Sequence, residues 1–160
     1  MLANNGKGNT PLRDMWQTPQ PLFDELNQQY KFQFDCCASE ENKKCNLFSS
    51  KFEVDIIEPV DLRICDYVCW MNPPFSIAWK MFETFFSIVR RGVAIYRCDN
   101  LETGLWQRVI FPYADWIFIP DKRVSYDGLD GDGARFPSAL IGVGVEPPKS
   151  LNGIILKVTK

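Results

Sequence analysis

The 160-residue chain contains no histidine, and that absence excludes every mechanism that needs an imidazole base or ligand: histidine-based serine or cysteine triads, histidine zinc sites and histidine proton relays. Charge of one sign is also missing. Eighteen Lys and Arg stand against 20 Asp and Glu, a formal charge of −2, so there is no global footprint for a polyanion and no dense acidic surface of the kind that imitates DNA. No CxxC pair occurs among Cys36, Cys37, Cys45, Cys65, Cys69 and Cys98. Their number is too low for a disulfide scaffold and their spacing does not suit a structural zinc site, so they are expected to be free thiols acting as small hydrophobes, with no metal. The longest uncharged apolar run, Ala139 to Val145, has a strand's length and not a membrane span's. The opening Met-Leu-Ala-Asn-Asn-Gly-Lys lacks the apolar stretch of a secretion signal. These readings predict a cytoplasmic protein with no membrane segment.

What is present is 46% hydrophobic, 14% aromatic and 24% charged, enough apolar material for one globular core. Residues 1–14 show little periodicity and are expected to form a flexible N-terminal arm, with a single domain over 15–160. Thr18-Pro19 predicts a helix start, with a hydroxyl cap and a proline in the first turn, continued by Leu22, Phe23, Leu26 and Tyr30 at helical spacing. Phe32, Phe34 and Cys36 alternate as a short strand ending in Asp35-Cys36-Cys37-Ala38. Asn46 to Val54 holds a weak strand pattern, and Asp55 to Ile64 reads as irregular chain. Tyr67 to Met71 is a continuous apolar run stopped by Asn72-Pro73-Pro74, as expected of a strand buried on both faces.

Ser76 is the expected cap of the next helix. Ala78, Met81, Phe82, Phe85, Phe86 and Val89 form its apolar face, and Arg90-Arg91-Gly92 should close it. Val93–Tyr96, Thr103–Phe111 and Trp116–Ile119 predict a strand, a short helix and a strand. This alternation argues an α/β fold with a mostly parallel sheet. Val124 to Gly133 reads as a Gly- and Asp-rich loop. Ala139–Val145 and Ile154–Val158 are expected to close the sheet as an antiparallel hairpin around Pro147-Pro148.

In open α/β sheets ligands bind beyond the carboxyl ends of strands, and two such ends carry unusual residues: Asp35-Cys36-Cys37-Ala38 and Asn72-Pro73-Pro74-Phe75. The nitrogen of a base or an amide is a poor nucleophile because its lone pair is delocalised. An asparagine oxygen and a carbonyl fixed by proline supply two acceptors for an NH2 group, and the following aromatic offers a face for an extruded base. An ordinary strand-ending turn is the alternative reading of such a string. Its position between a buried strand and an amphipathic helix favours function.

Trp16-Gln17-Thr18-Pro19, Leu22 to Asn27, Phe34 to Ala38, Asn42, Cys45, Trp70 to Ser76 and Phe136-Pro137-Ser138-Ala139-Leu140 together resemble the phage-encoded DNA N-6-adenine methyltransferases of the Dam type. The resemblance implies a single-domain, Rossmann-like class I methyltransferase fold that uses S-adenosyl-L-methionine and double-stranded DNA. It implies that Asn72 and the Pro73 carbonyl hold the adenine amino group, that Pro74 completes the loop, and that Phe75 stacks on the flipped base. It further implies that Trp16, Thr18, Pro19, Asp35, Cys36, Cys37 and Ala38 bind the cofactor. Asp61 is an additional candidate, placed by its distance from Asn72 in the chain. Cytosine C5 chemistry requires a Pro-Cys context, which does not occur. Many enzymes of this class carry a glycine-rich turn after the first strand; Cys36 to Ser39 has none, as in the Dam-type pattern Asp-x-Cys-Ala.

Among the scattered bases, Arg97, Arg108, Lys122 and Arg123 are the expected DNA contacts, following strand ends or lying in loops on the Asn72 side. Sequence reading would fall to the loops 99–107 and 122–136. At ~1–3 kcal/mol per good base contact, so small a reader is expected to have a short target or help from a second subunit, so that monomer and homodimer both remain open. The resemblance also implies a role in protecting phage DNA from restriction, in the cytoplasm of the bacterial host. An RNA adenine or a protein glutamine as acceptor, and an inactive DNA-binding relative, are the alternative readings.

Overall fold

A computed structural model of the chain describes residues 14–50, 66–128 and 135–157. Asp61, the segment 55–64 and nearly all of the expected arm lie outside them. The exception is Asp14, which is held by Ser76 and does not belong to a free arm. The first helix, α1 (Gln20–Tyr30), turns Phe23, Leu26 and Tyr30 inward. It begins after Pro19 with Pro21 in its first turn and no side-chain cap, so Thr18 does not cap it. Lys31 ends it in the left-handed region at φ 54°.

Two short strands follow, β1 (Phe34–Asp35) and β2 (Leu47–Phe48), and then β3 (Val68–Met71), whose Cys69, Trp70 and Met71 are buried. One 3-10 turn (Phe75–Ile77) leads into α2 (Ala78–Ile88). Arg91 and Gly92, expected to close that helix, instead open β4 (Arg91–Arg97). Gly92 is there because a Cβ would lie 2.9 Å from both the Cys69 carbonyl and Val89 Cγ1, a separation that only a bare backbone allows. A π-helical turn (Trp106–Ile110) runs into α3 (Phe111–Tyr113), and β5 (Trp116–Pro120) follows. The expected loop after it contains β6 (Val124–Ser125), paired with β7 (Arg135–Phe136). The chain ends in β8 (Ser138–Val143) and β9 (Gly153–Lys157).

The seven-stranded sheet runs β2-β1-β3-β4-β8-β5-β9. Pairings from β2 to β4 are parallel, and β8 lies antiparallel between β4 and β5. Strands β1 to β5 therefore point one way and β8 and β9 the other. The sheet is α/β and mixed, and the expected closing hairpin does not form: β5 separates β8 from β9 and pairs with both. One apolar cluster packs α2 and the π-helical turn on one face of the sheet. The other packs α1, Trp70, Trp116 and Phe136 on the opposite face. None of the five described cysteines forms a disulfide. Among the described residues no helix is long and apolar enough to cross a membrane.

Candidate active site

From β1 the chain moves to β2 on one side and then crosses to β3 on the other. The order reverses at this point, so a crevice opens beyond the carboxyl ends of β1 and β3. A cavity of about 240 Å³ occupies it. Of the expected residues, Trp16, Thr18, Asp35, Cys37, Ala38, Asn72 and Pro74 line this cavity. Pro19, Cys36, Pro73 and Phe75 do not. Cys36 is wholly buried in the core behind β1, with its N–H donated to Trp70 O at 2.9 Å, because strand alternation sends its side chain away from the crevice. Pro73 is buried, and Pro19 is half-buried at the entry to α1.

Asp35 supplies the buried charge of the cavity, at 2% exposure. Its Oδ1 accepts from the Cys37 N–H at 3.2 Å and its Oδ2 from the Lys44 N–H at 2.9 Å. Burial pushes its carboxyl up to about 6, against these two hydrogen bonds and the charge of Lys44, which pull it down. The loop after β1 closes around it: Ser49 N–H bonds Asp35 O at 2.9 Å, Ala38 N–H bonds Ser49 O at 3.0 Å, and Ser39 N–H bonds Asn42 Oδ1 at 2.7 Å. The Cys37 thiol is raised well above the usual range by burial and then by the charge of Asp35, so it is an apolar wall and not a nucleophile. Thr18 is 1% exposed, and its hydroxyl has no hydrogen-bond partner among the described residues. A buried hydroxyl on a cavity wall without a partner is a place for a polar ligand atom.

On the β3 side, Pro73 and Pro74 stop the strand and leave Asn72 on the rim. Asn72 Nδ2 donates to the Trp16 carbonyl at 3.2 Å. That bond fixes the amide so that Oδ1, which bonds to no described residue, is the free acceptor. Phe75 sits beyond the cavity in an aromatic cluster. Trp16, Tyr96 and Phe136 each meet it nearly edge to face, at centroid distances of 5.8, 5.6 and 5.6 Å. Tyr126 stacks on Phe136 at 4.6 Å and bonds Ser138 Oγ at 2.8 Å. Phe136 and Ser138 of the late Phe-Pro-Ser-Ala segment thereby join the same rim as Asn72.

The expected cap at Ser76 is reversed. Asp14 accepts from the Ser76 N–H at 3.0 Å and from its hydroxyl, so a carboxylate 62 residues away holds the start of the turn. The strap from Asp14 to Thr18 is pinned at its far side by paired backbone bonds between Gln17 and Asp127, at 2.9 and 3.0 Å.

Of the expected DNA contacts, Arg97 ends β4 beside Phe75 and is paired with Asp99. Arg108 lies over the Trp79 ring at 5.3 Å, with both side chains on the outer surface. Lys122 and Arg123 are exposed after β5. These four do not line the cavity. Sequence reasoning did not single out Asp14, Ser39 or Ser50, which do. Gln17 and Asn42 were legible only as part of the family pattern, and Lys44 was not singled out. Lys44 donates to Gln20 Oε1 at 2.8 Å and borders the cavity.

These features define an open-sheet α/β protein with a ligand crevice at the reversal of its strand order and an Asn-Pro-Pro-aromatic loop on the rim. The chain belongs to the DNA N-6-adenine-methyltransferase (Dam) family, whose model matches residues 5–97, more than half of its length. It is similar to a DNA N-6-adenine-methyltransferase of Escherichia phage T1, at 38% identity over 71 residues, covering 42% of this chain and 29% of that protein. It is also similar to one of Haemophilus phage HP1 (strain HP1c1), at 35% identity over 66 residues, 40% of this chain and 36% of that protein. The alignments thus span 29 to 36% of the length of these curated relatives. No solved structure matches the chain.

Proposed function

We propose that the chain transfers a methyl group from S-adenosyl-L-methionine to the N6 amino group of adenine in double-stranded DNA. Family membership supports the activity. The observation that carries the reading is the Asn72 amide, held by Trp16 at the mouth of the Asp35 cavity with its oxygen bonded to no described residue. A Rossmann-like class I methyltransferase fold in one domain is part of the same proposal. Its support is the parallel run β1 to β4, with Asp35 and Asn72 at the carboxyl ends of adjacent strands.

The cavity has the donor set for the cofactor. Thr18 brings an unpartnered hydroxyl, Asp35 brings a buried carboxylate with lone pairs to spare, and Trp16, Cys37 and Ala38 supply apolar walls. When bound, S-adenosyl-L-methionine supplies an electrophilic methyl group. Asn72 Oδ1 and the Pro73 carbonyl accept the two N6 hydrogens. This concentrates the lone pair on nitrogen and favours its tetrahedral form, because preorganised acceptors match the charge that develops there. Phe75 offers the ring on which the extruded base stacks, and the displaced N6 proton leaves to solvent. Lys122, Arg123 and Arg108 would contact phosphates. In a phage-infected host cell the product would be DNA protected from restriction, made by a monomer or a homodimer in the cytoplasm.

The test is transfer of labelled methyl to plasmid DNA lacking adenine methylation, with nucleoside analysis. We expect N6-methyladenine, and a loss of at least about 10²-fold in rate for Asn72→Ala, the size expected for removing a preorganised polar group. Transfer to RNA or protein in place of DNA would move the acceptor assignment, and absence of cofactor binding would end the reading.

A further inference from the structure

The Phe75 ring, on which a base would stack, is not clear in this structure. The Arg97 guanidinium carbon lies 5.5 Å over its centroid and 5.4 Å over that of Phe136. A stacked base followed by a guanidinium needs two van der Waals layers, about 7 Å, so the base and Arg97 cannot share that face as they stand. Of the groups around Phe75, the three rings are built into the fold: Trp16 through the strap, Tyr96 within β4 and Phe136 within β7. The guanidinium is different. It sits at the end of a flexible side chain and is held by an ion pair to Asp99, with Nε 2.7 Å from Oδ1.

The backbone of Arg97 is fixed on both sides. Its carbonyl accepts from Trp106 Nε1 at 3.1 Å, and the next N–H, that of Cys98, donates to Pro137 O at 2.9 Å. Movement is therefore confined to the side chain. The two partners retain 21% and 29% side-chain exposure, so an incoming anion can reach the pair. A phosphate matches the guanidinium fork as well as a carboxylate does, and an extruded nucleotide carries phosphates to this rim together with its base.

We propose that Arg97 is a positioning residue of the base slot, parked by Asp99 across Phe75 and Phe136 in the DNA-free protein and handed to a DNA phosphate as the base takes its place on Phe75. This rests on the functional reading above and adds to it a role for Asp99, which sets how readily Arg97 is released. Asp99 is not stranded by the exchange, since the charge of Arg123 also reaches it.

The experiment measures methyl transfer to unmethylated plasmid for the wild type, Asp99→Asn, Arg97→Gln and the double variant. Asp121→Asn makes the same charge change at an exposed site just after β5, outside the two loops expected to read sequence. We expect Asp99→Asn to lower the plasmid KM about threefold or more, with kcat and the cofactor KM nearly unchanged, while Asp121→Asn changes it little. In the Arg97→Gln background the Asp99→Asn effect should vanish, as a double-mutant cycle requires of a coupled pair. Arg97→Met, which keeps the aliphatic stem but not the charge, takes the place of Arg97→Gln if that variant does not fold. An Asp99→Asn effect equal to that of Asp121→Asn, or one that persists without Arg97, overturns the proposal. An inactive wild type removes the functional reading and this inference together, whereas an active wild type with no coupling removes the inference alone.

Discussion

Asp35 has two roles that pull against each other. Buried beneath the cavity, its carboxyl titrates at about 6 in the folded chain against an ordinary value of 3.8. A raised folded value stabilises the fold fully only below the unfolded value, and that contribution is lost as pH rises through about 6. The stability of the wild type relative to Asp35→Asn should therefore fall by up to about 3 kcal/mol between pH 4 and pH 7.5, at 1.36 kcal/mol per pH unit. Urea unfolding of both proteins across that range checks it, and a constant difference would show that the ionised carboxylate is not strained by burial. The same scale shows what a sequence can disclose. Asn72 to Phe75 was legible because two prolines end a strand by their own covalent chemistry. Thr18 reads as a cap because its type and its neighbour Pro19 fit one, whereas in the folded chain it lines the cavity and its buried hydroxyl makes no cap bond. The functions of Asp14 and Lys44 arise only from contacts with Ser76 and with the loop around Asp35, which no local pattern records.

Among the elements, α1 and α2 were legible from helical periodicity and β3, β4 and β5 as continuous apolar runs, since the helices bury one face and these strands bury both. Their ends were not. Gly92 reads as a helix stop, yet it is used where β4 passes close to the Cys69 carbonyl. Nor could the pairing of β8 be read, because both its partners are chosen by the completed sheet. The carboxyl end of β8 is tightly fitted: a Cβ on Gly142 would lie 2.0 Å from the Trp116 indole, whose Nε1 bonds the Val145 carbonyl at 2.6 Å. We expect Gly142→Ala to lower stability by at least about 1–3 kcal/mol, the cost of overpacking a filled core. Thermal unfolding followed by circular dichroism measures this, and an unchanged Tm would mean that the indole can swing aside freely.

Over the whole molecule, charge is nearly balanced, so the overall field supplies no attraction for a polyanion, and on the proposed reading local basic residues would have to supply it. The opposite edge of the sheet presents a different surface. Strand β9 is terminal in the strand order, and Ile154, Ile155 and Leu156 are exposed at 65%, 45% and 38%. Successive strand residues point to opposite faces, so both faces of this edge are apolar among the described residues. Such an edge invites pairing with another chain. Ile155→Lys is expected to reduce light scattering of concentrated or warmed solutions without altering methyl transfer, and scattering equal to that of the wild type would clear this edge of that role.

The placing of β8 also bears on how the molecule assembles during synthesis. Strands β1, β3 and β4 can pair as soon as residue 97 has emerged, which brings Asn72 and Asp35 to one rim. Phe136 and the partners of β4 and β5 belong to a strand-forming segment that emerges some forty residues later, at the distance in sequence that makes contacts slow to form. A ribosome-bound chain that stops short of residue 135 would therefore hold Asn72, Asp35 and Phe75 but not the Phe136 ring that packs against Phe75. The sheet itself would be completed only when a late strand inserts between two earlier ones.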